Sequence, residues 1–386
     1  MPGIVINPDK CSLCGKCITI CPFGAIELKG KKPEINSACK ACRICFKSCP
    51  FGAISLTEEK PVVDLSDWRD ILVFGEINPE GIHPVTFELI CKGLELAGKA
   101  GYNLHVVVIG DRASKMSGEL ENTGVKSIIV YNNPCYRHFN CDLYADAFAD
   151  AIRHIKPSVV LVGGTAVGRS LAPRLSTRFK TGLTADCTRL EITEKGELIQ
   201  IRPAFGGEIM ARIITPNTRP QFATVRYKTM DRYPLCGSRA EIIIRNPPTL
   251  RSRITMLKEE EKPAIESITD ADIIVAGGRG LKSVKDFALL EGLAKKLGGQ
   301  VAGTRPVIEA GWLPYTRQIG LSGRTVKPKL IITCGISGAV QFTAAMQNSG
   351  LIIAINKDAA APIFNIAHYG FVGDLYEIIP LLEKAL

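Results

Sequence analysis

From residue 70 onward the chain alternates between apolar runs of strand length and stretches with helical spacing. Asp70-Ile-Leu-Val-Phe-Gly-Glu-Ile77 reads as a buried strand, Pro84 to Ala100 carries Leu89, Ile90, Leu94 and Ala97 on one helical face, and Leu104-His-Val-Val-Val-Ile-Gly110 is a second strand. Lys126 to Tyr131, a helix around Leu143 to Ile155, and Pro157-Ser-Val-Val-Leu-Val-Gly163 continue the pattern. Such alternation predicts a mostly parallel sheet with helices on its faces. Between Thr188 and Arg245 the β runs shorten and are broken by Gly and Pro, and they read as strands added to the same sheet. Leu257-Lys-Glu-Glu-Glu-Lys-Pro263 is charged, lacks apolar periodicity and reads as a linker. After it the alternation restarts: strand Ile273 to Ala276, helix Val284 to Leu297, strand Leu330 to Thr333, helix Ala339 to Met346 and strand Leu351 to Ile355. This predicts a second doubly wound unit, in which ligands lie beyond the carboxyl ends of the strands.

No residue between Leu330 and Asn356 is charged, which is long enough to suggest a membrane span. Gly335, Ser337, Gly338, Gln341, Gln347, Asn348 and Gly350 interrupt it, so strand, helix, strand is the better reading and no span is expected. A chain of 386 residues, 46% of them hydrophobic, predicts two or three globular domains. The start, Met1-Pro2-Gly3-Ile4-Val5, has no basic stretch leading into an apolar segment, so a cytoplasmic location is expected. The net charge of +10 comes from scattered Lys and Arg with no basic run interleaved with aromatics, and no nucleic-acid partner is expected.

The first sixty residues follow a different logic. Cys-x-x-Cys-x-x-Cys-x-x-x-Cys-Pro occurs twice, at Cys11, Cys14, Cys17, Cys21-Pro22 and at Cys39, Cys42, Cys45, Cys49-Pro50. Two-residue gaps let three thiolates of one tight loop reach three irons of a cubane, while the fourth cysteine points towards the other cluster. The expected sets are crossed: Cys11, Cys14, Cys17 and Cys49 for one [4Fe-4S] cluster, and Cys39, Cys42, Cys45 and Cys21 for the other. Both halves continue as Cys-Pro-Phe-Gly-Ala-Ile, so the module is an internal duplication. A zinc ribbon would leave Cys17, Cys21, Cys45 and Cys49 unexplained. Cys91, Cys135, Cys141, Cys187, Cys236 and Cys334 share no ligand spacing and read as reduced small residues. Residues 1–60 carry nine Lys or Arg against five acids, a net of +4, suited either to docking an anionic electron carrier or simply to solubility. The module is expected to end near Glu58-Glu59-Lys60-Pro61.

Three Gly-containing segments lie at strand ends in the last unit: Gly277-Gly278-Arg279-Gly280, Gly335 to Gln341, and Asn356-Lys357-Asp358. Glycines let backbone amides approach phosphate oxygens, so together these segments suit a phosphorylated cofactor. Each by itself is also compatible with an ordinary strand-to-helix turn, and none fits a standard nucleotide fingerprint.

The run Ile319-Gly-Leu-Ser-Gly-Arg-Thr-Val326, then Leu330 to Gln341, Ala354-Ile-Asn-Lys-Asp358, Ala361-Pro-Ile-Phe364, Tyr369-Gly370 and Gly373-Asp-Leu375, closely resembles the α subunit of electron-transfer flavoproteins. Gly277 to Ser283 and Arg202-Pro-Ala-Phe-Gly-Gly207 are similar to the same family, so the resemblance covers roughly residues 68–386. The cysteine module is similar to the ferredoxin extension of some anaerobic members. The resemblance implies an α/β chain: a ferredoxin-like α+β iron–sulfur domain (1–60), then two doubly wound α/β domains, a β-subunit-contacting one (68–256) and an FAD-binding one (264–386).

By the same resemblance Arg279 lies by the flavin ring and favours its anionic reduced forms through its charge. Ser322, within Gly320, Leu321, Ser322, Gly323 and Thr325, reaches the ring. Ser337, Gly338, Ala339, Val340 and Gln341 hold ribityl and pyrophosphate, with Phe342 following, and Asn356, Asp374 and Leu375 sit at the adenosine end. Two positions depart from the family: Phe342 stands where a histidine is usual and cannot donate its hydrogen bond, and His368 replaces an aspartate and reads as a surface or satisfied histidine. The implied function is an electron relay of the bifurcating kind. It would work with a flavoprotein β subunit, a flavin-dependent dehydrogenase of the lactate or acyl-CoA type, and soluble ferredoxin. A non-bifurcating shuttle from ferredoxin to flavin is the alternative. A stand-alone oxidoreductase is weakened by the lack of a catalytic triad, a metal-hydrolase motif or a nicotinamide fingerprint.

Overall fold

Apolar runs flanked by helices become parallel strands here because both faces of such a strand are buried, so only near-continuous Val, Ile and Leu can occupy it. The computed structural model describes residues 4–30, 32–36, 38–39, 42–56, 65–207, 209–260 and 267–386. The chain divides into two compact units, Met1–Asp64 and Leu65–Leu386. The joint expected at Glu58 to Pro61 lies outside the described residues, as do residues 261–263 of the second expected linker.

In the first unit Ile4–Ile6 pairs antiparallel with Ile54–Leu56, and Ile26–Lys29 pairs antiparallel with Lys32–Ile35. Two short helices, Lys16–Thr19 and Ile44–Ser48, follow the cysteine loops, each entered through a left-handed residue, Gly15 at φ 71° and Arg43 at φ 63°. The duplication is visible in packing as well as in sequence. Ala25-Ile26 and Ala53-Ile54 are buried, whereas Phe23 and Phe51 of the same repeated run are both exposed.

The second unit holds a seven-stranded sheet in the order Leu183–Cys187, Gln221–Val225, Val159–Gly163, Ile71–Gly75, Leu104–Gly110, Ser127–Asn132 and Glu241–Ile244. Every neighbouring pair is parallel. Alternate residues feed two cores: Ile71, Val73, Val106 and Val108 face one side, and Leu72, Phe74, Val107 and Ile109 the other. Of the β runs expected to extend this sheet, Gln221–Val225 and Glu241–Ile244 do so. Arg189–Ile192, Leu198–Ala204 and Ile209–Ile213 instead form a separate three-stranded antiparallel sheet. They are consecutive hairpin strands, and short turns of this kind cannot make the crossover that a parallel neighbour needs.

A second, five-stranded parallel sheet runs Gln300–Gly303, Ile273–Gly277, Leu330–Cys334, Leu351–Asn356 and Tyr369–Val372. In chain order that is 2-1-3-4-5, so its switch point lies between Ile273–Gly277 and Leu330–Cys334. The helix expected over Ala339 to Met346 is only Val340–Thr343, after which Ala345 and Met346 donate to the carbonyls of Phe342 and Thr343 in tighter turns. Among the described residues no helix is long and apolar enough to cross a membrane.

Candidate functional site

The cysteine loops enclose two cavities. One is lined by Cys11, Cys14, Cys17 and Cys49 together with Ile6, Leu13, Ile18, Phe51 and Ile54. The other is lined by Cys21, Cys39, Cys42 and Cys45 with Ile4, Ile26, Ile35 and Ile44. Each therefore gathers three cysteines from one half of the duplication and one from the other. Burial pushes the Cys17 thiol up, and Cys11, Cys14 and Cys49 add to the rise; burial does the same to Cys45, with Cys42, Cys21 and Cys39 beside it. Four thiolates in an apolar pocket repel one another, and a multi-iron cluster supplies the positive charge that lets them ionise together.

Among the described residues no three His, Cys, Asp or Glu side chains converge on a single-ion position. Each space is lined by four cysteines drawn from both halves, the crossed arrangement that suits a cubane. The backbone supports the same chemistry, since Ala25 N–H donates to Cys21 Sγ and Ala53 N–H to Cys49 Sγ, both at 3.3 Å. Such bonds stabilise anionic sulfur and help set a cluster's potential.

At the switch point of the five-stranded sheet the glycine turns pack backbone to backbone. A Cβ on Gly278 would come within 2.5 Å of the Gly335 carbonyl oxygen, and one on Gly280 within 2.6 Å of Gly335 Cα, so this approach needs glycine on both sides. Gly280 N–H donates to Gly335 O and Gly335 N–H to Ile355 O, at 2.9 Å each. Arg279 stands exposed at the tip of its turn, and Ser337, Ala339, Val340 and Gln341 are exposed along theirs. Gly338 is buried at φ 87°, where a Cβ would lie 2.2 Å from Ile363 N.

The turn around residues 320–325 is tied to this segment by Leu321 N–H donating to Gln341 O at 2.8 Å. Ser322 is braced at both ends: its Oγ accepts from Gln318 Nε2 (2.9 Å) and its carbonyl from the Tyr315 hydroxyl (2.6 Å). A Cβ on Gly323 would approach Gln318 O to 2.5 Å. Thr325 Oγ1 is buried without a hydrogen-bond partner. A buried orphan hydroxyl beside exposed, glycine-rich backbone fits a site completed by a polar ligand such as a flavin nucleotide.

Four of the expected residues are engaged within the protein. Phe342 packs into the apolar core with Ile319, Val326 and Met346. Asn356 donates to Ile336 O at 2.9 Å and accepts from Asp358 N–H, which braces the Gly335 turn. Leu375 is buried against the helices of the sheet's other face. Asp374 caps helix Leu375–Ala385 by accepting from Tyr376 N–H and pairs with Lys357 at 2.8 Å, and Lys357 holds its carboxyl below the usual range. His368 is a satisfied histidine, accepting from Ile352 N–H through Nδ1 at 3.0 Å.

Sequence patterning gave no hint of what reaches this turn from the seven-stranded sheet. Arg226, at the carboxyl end of Gln221–Val225, donates to Leu321 O at 3.3 Å, and a Cβ on Gly207 would touch Leu321 at 3.2 Å. Residues 95 apart in the chain meet here, and no local spacing signals such a pairing.

Paired four-cysteine cavities in one unit, and a glycine-lined nucleotide site at a switch point in the other, define an iron–sulfur flavoprotein. Residues 71–254 match the electron transfer flavoprotein domain and residues 267–347 the electron transfer flavoprotein FAD-binding domain, while residues 4–27 and 36–52 each match a 4Fe-4S binding domain. The chain is 50% identical over 367 residues to the lactate dehydrogenase (NAD(+),ferredoxin) subunit LctC of Acetobacterium woodii, covering 94% of this chain and 88% of that protein. It is 42% identical to the electron transfer flavoprotein subunit alpha of Thermoanaerobacterium thermosaccharolyticum, over 83% of this chain and 99% of that one. It is 38% identical to the acryloyl-CoA reductase electron transfer subunit beta of Anaerotignum propionicum, over 84% and 97%. The chain belongs to the electron transfer flavoprotein α-subunit family and carries an N-terminal ferredoxin-like module; its cofactors are FAD and two [4Fe-4S] clusters.

Proposed function

We propose that this subunit routes electrons by bifurcation within a complex containing a flavoprotein β subunit and a flavin-dependent dehydrogenase of the lactate or acyl-CoA type. In this reading NADH delivers two electrons to the complex, one passing through this subunit's flavin site to the dehydrogenase and the other to soluble ferredoxin. Flavin and clusters together supply the conversion between two-electron and one-electron transfer. The protein's part is to hold them. The crossed cysteine sets would fix both clusters, the Gly278–Gly335 contact and the 337–341 segment would seat the flavin nucleotide, and Arg279 would bias the ring towards its anionic reduced forms. The domain built on the seven-stranded sheet, residues 68–256, would carry the β-subunit contact.

One observation carries the proposal: the cysteine module and the flavoprotein domains lie on one chain, and half of that chain's residues are identical to a subunit named for both NAD(+) and ferredoxin across 94% of its length. The test mixes the purified complex with NADH and ferredoxin, with and without the second acceptor. Bifurcation requires that ferredoxin be reduced only when that acceptor is present. Reduction without it would leave the simple ferredoxin–flavin shuttle as the function.

A further inference from the structure

The carboxyl edge of the seven-stranded sheet bears a buried charged group that also reaches beyond that sheet. Arg226 follows strand Gln221–Val225, and its side chain is only 14% exposed. Nη2 lies 3.3 Å from Leu321 O and 3.6 Å from Asp186 Oδ2, while Nε is buried with no hydrogen-bond partner. Asp186 is held in place independently. Its backbone N–H donates to Thr224 Oγ1 at 2.9 Å, and its carboxylate accepts from Arg169 Nε at 3.1 Å.

A buried guanidinium shared between one carboxylate and one carbonyl leaves donor capacity and positive charge unspent. Its contact outside the sheet is with the Leu321 turn. Leu321 is pinned from two sides, its N–H by Gln341 O of the same lobe and its carbonyl by Arg226 of the other. The second buried orphan of this turn, Thr325 Oγ1, lies four residues further along. A residue that contacts this turn and a residue within it each carry a buried polar atom without a partner, which suits a polar ligand at the turn.

We propose that Arg226 is a positioning residue of the flavin site, fixing the Leu321 turn from the neighbouring lobe and lending the cofactor a buried positive charge that Asp186 moderates. The proposal rests on the reading of residues 320–325 as flavin-contacting. A cation near the ring favours the reduced anion and so raises the flavin's reduction potential. Asp186 opposes it, so the two residues act with opposite signs.

The test uses the holo-complex as purified and reads two quantities for the flavin bound to this chain, its dissociation constant and its reduction potential. Arg226→Met is expected to weaken FAD binding about tenfold, the usual scale for losing a charged donor, and to lower the potential. Asp186→Asn is expected to raise the potential while leaving affinity within about twofold, because asparagine tolerates the left-handed backbone at φ 56°. Arg226→Lys keeps the charge without the fork, so it should hold the potential and lose part of the affinity.

A merely structural Arg226 gives no sign reversal: potentials that move together, or not at all, in Arg226→Met and Asp186→Asn overturn the proposal. Should Arg226→Met misfold, the same decision falls to Asp186→Asn and Arg226→Lys, and an unmoved potential in the former is fatal. Ser322→Ala separates the two layers of inference. If it alone alters FAD affinity, the role of Arg226 is refuted and the flavin turn stands; if no variant alters it, both fall.

Discussion

The two units reach stability by opposite routes. In the cysteine module the buried hydrophobic set is small, centred on Ile4, Ile26, Cys45 and Ile54, with seven further cysteines among its half-buried neighbours or cavity walls. Its helices are four and five residues long, too short to hold themselves. In the flavoprotein unit two parallel sheets are sandwiched between cores of fully buried aliphatic residues, with Phe74 stacked on Phe148 at 5.4 Å. The difference teaches where the cofactor enters the folding free energy. A domain of about sixty residues buries too little surface to stand comfortably alone and recruits metal; the larger unit builds its scaffold first and offers the cofactor a finished edge.

The largest expected effect tests that contrast directly. Stripping iron anaerobically with a chelator should abolish amide protection across residues 4–56, while the flavoprotein unit retains its protection and its melting transition. Hydrogen exchange resolved by region reads both at once. A module that stays protected after complete iron loss would mean that its apolar core suffices, and the comparison would break. Cys17→Ser sharpens it, since removing one ligand from one set should lower iron content from about eight to about four atoms per chain if the cavities load independently.

The module was the more legible half, because its chemistry is written in spacing. Eight cysteines at fixed offsets imply both the crossed sets and the duplication, and the cavities gather those same residues. The parallel sheets were legible for a different reason: two-sided burial demands unbroken runs such as Leu104 to Ile109, which stand out from their surroundings. Tyr369–Val372 and Arg189–Ile192 were not, being short and partly or wholly exposed, with no apolar run to announce them. The cradle's glycines could be seen in the sequence, but not that Asn356 and Phe342 are engaged in bracing and core packing, nor that Arg226 arrives from another sheet. Those facts depend on tertiary neighbours that no local window contains.

The second prediction concerns pH. The described acids of the module, Asp9, Glu27 and Glu34, are exposed, whereas the flavoprotein unit buries Glu76 and Glu88. Burial pushes the carboxyl of Glu76 from 4.5 up to about 7, although the Thr165 hydroxyl donates to it at 2.6 Å. A folded-state value raised above the unfolded one means that the folded form holds its proton more tightly. Glu76 therefore imposes no penalty below about pH 4.5; the penalty grows as pH rises towards 7 and is complete above it, at about 3 kcal/mol. Glu76→Gln should remove that part of the slope, so the variant melts higher than the parent at pH 8 and no higher at pH 4.5. Scanning calorimetry of the flavoprotein transition at the two pH values decides it, and equal shifts at both would show that Glu76 carries no linked proton. The module's loss should track iron release instead of this titration.

The smallest effect lies inside the duplication. Gly15 and Arg43 occupy equivalent places, each one residue after the second cysteine of its motif and each entering a helix in the left-handed region, at φ 71° and 63°. Glycine adopts that conformation freely, whereas a residue with a Cβ is strained there by about 1 kcal/mol. Arg43 is exposed, so its side chain gives little in return. Arg43→Gly should stabilise the second loop by up to about 1 kcal/mol, less the extra entropy glycine brings to the unfolded chain. Slower loss of iron–sulfur absorbance in denaturant is the readout, with Gly15→Ala as the mirror experiment losing absorbance faster. If Arg43→Gly instead releases iron sooner, the arginine is holding something that strain alone does not explain, and the two halves of the module are not equivalent in the way their backbones are.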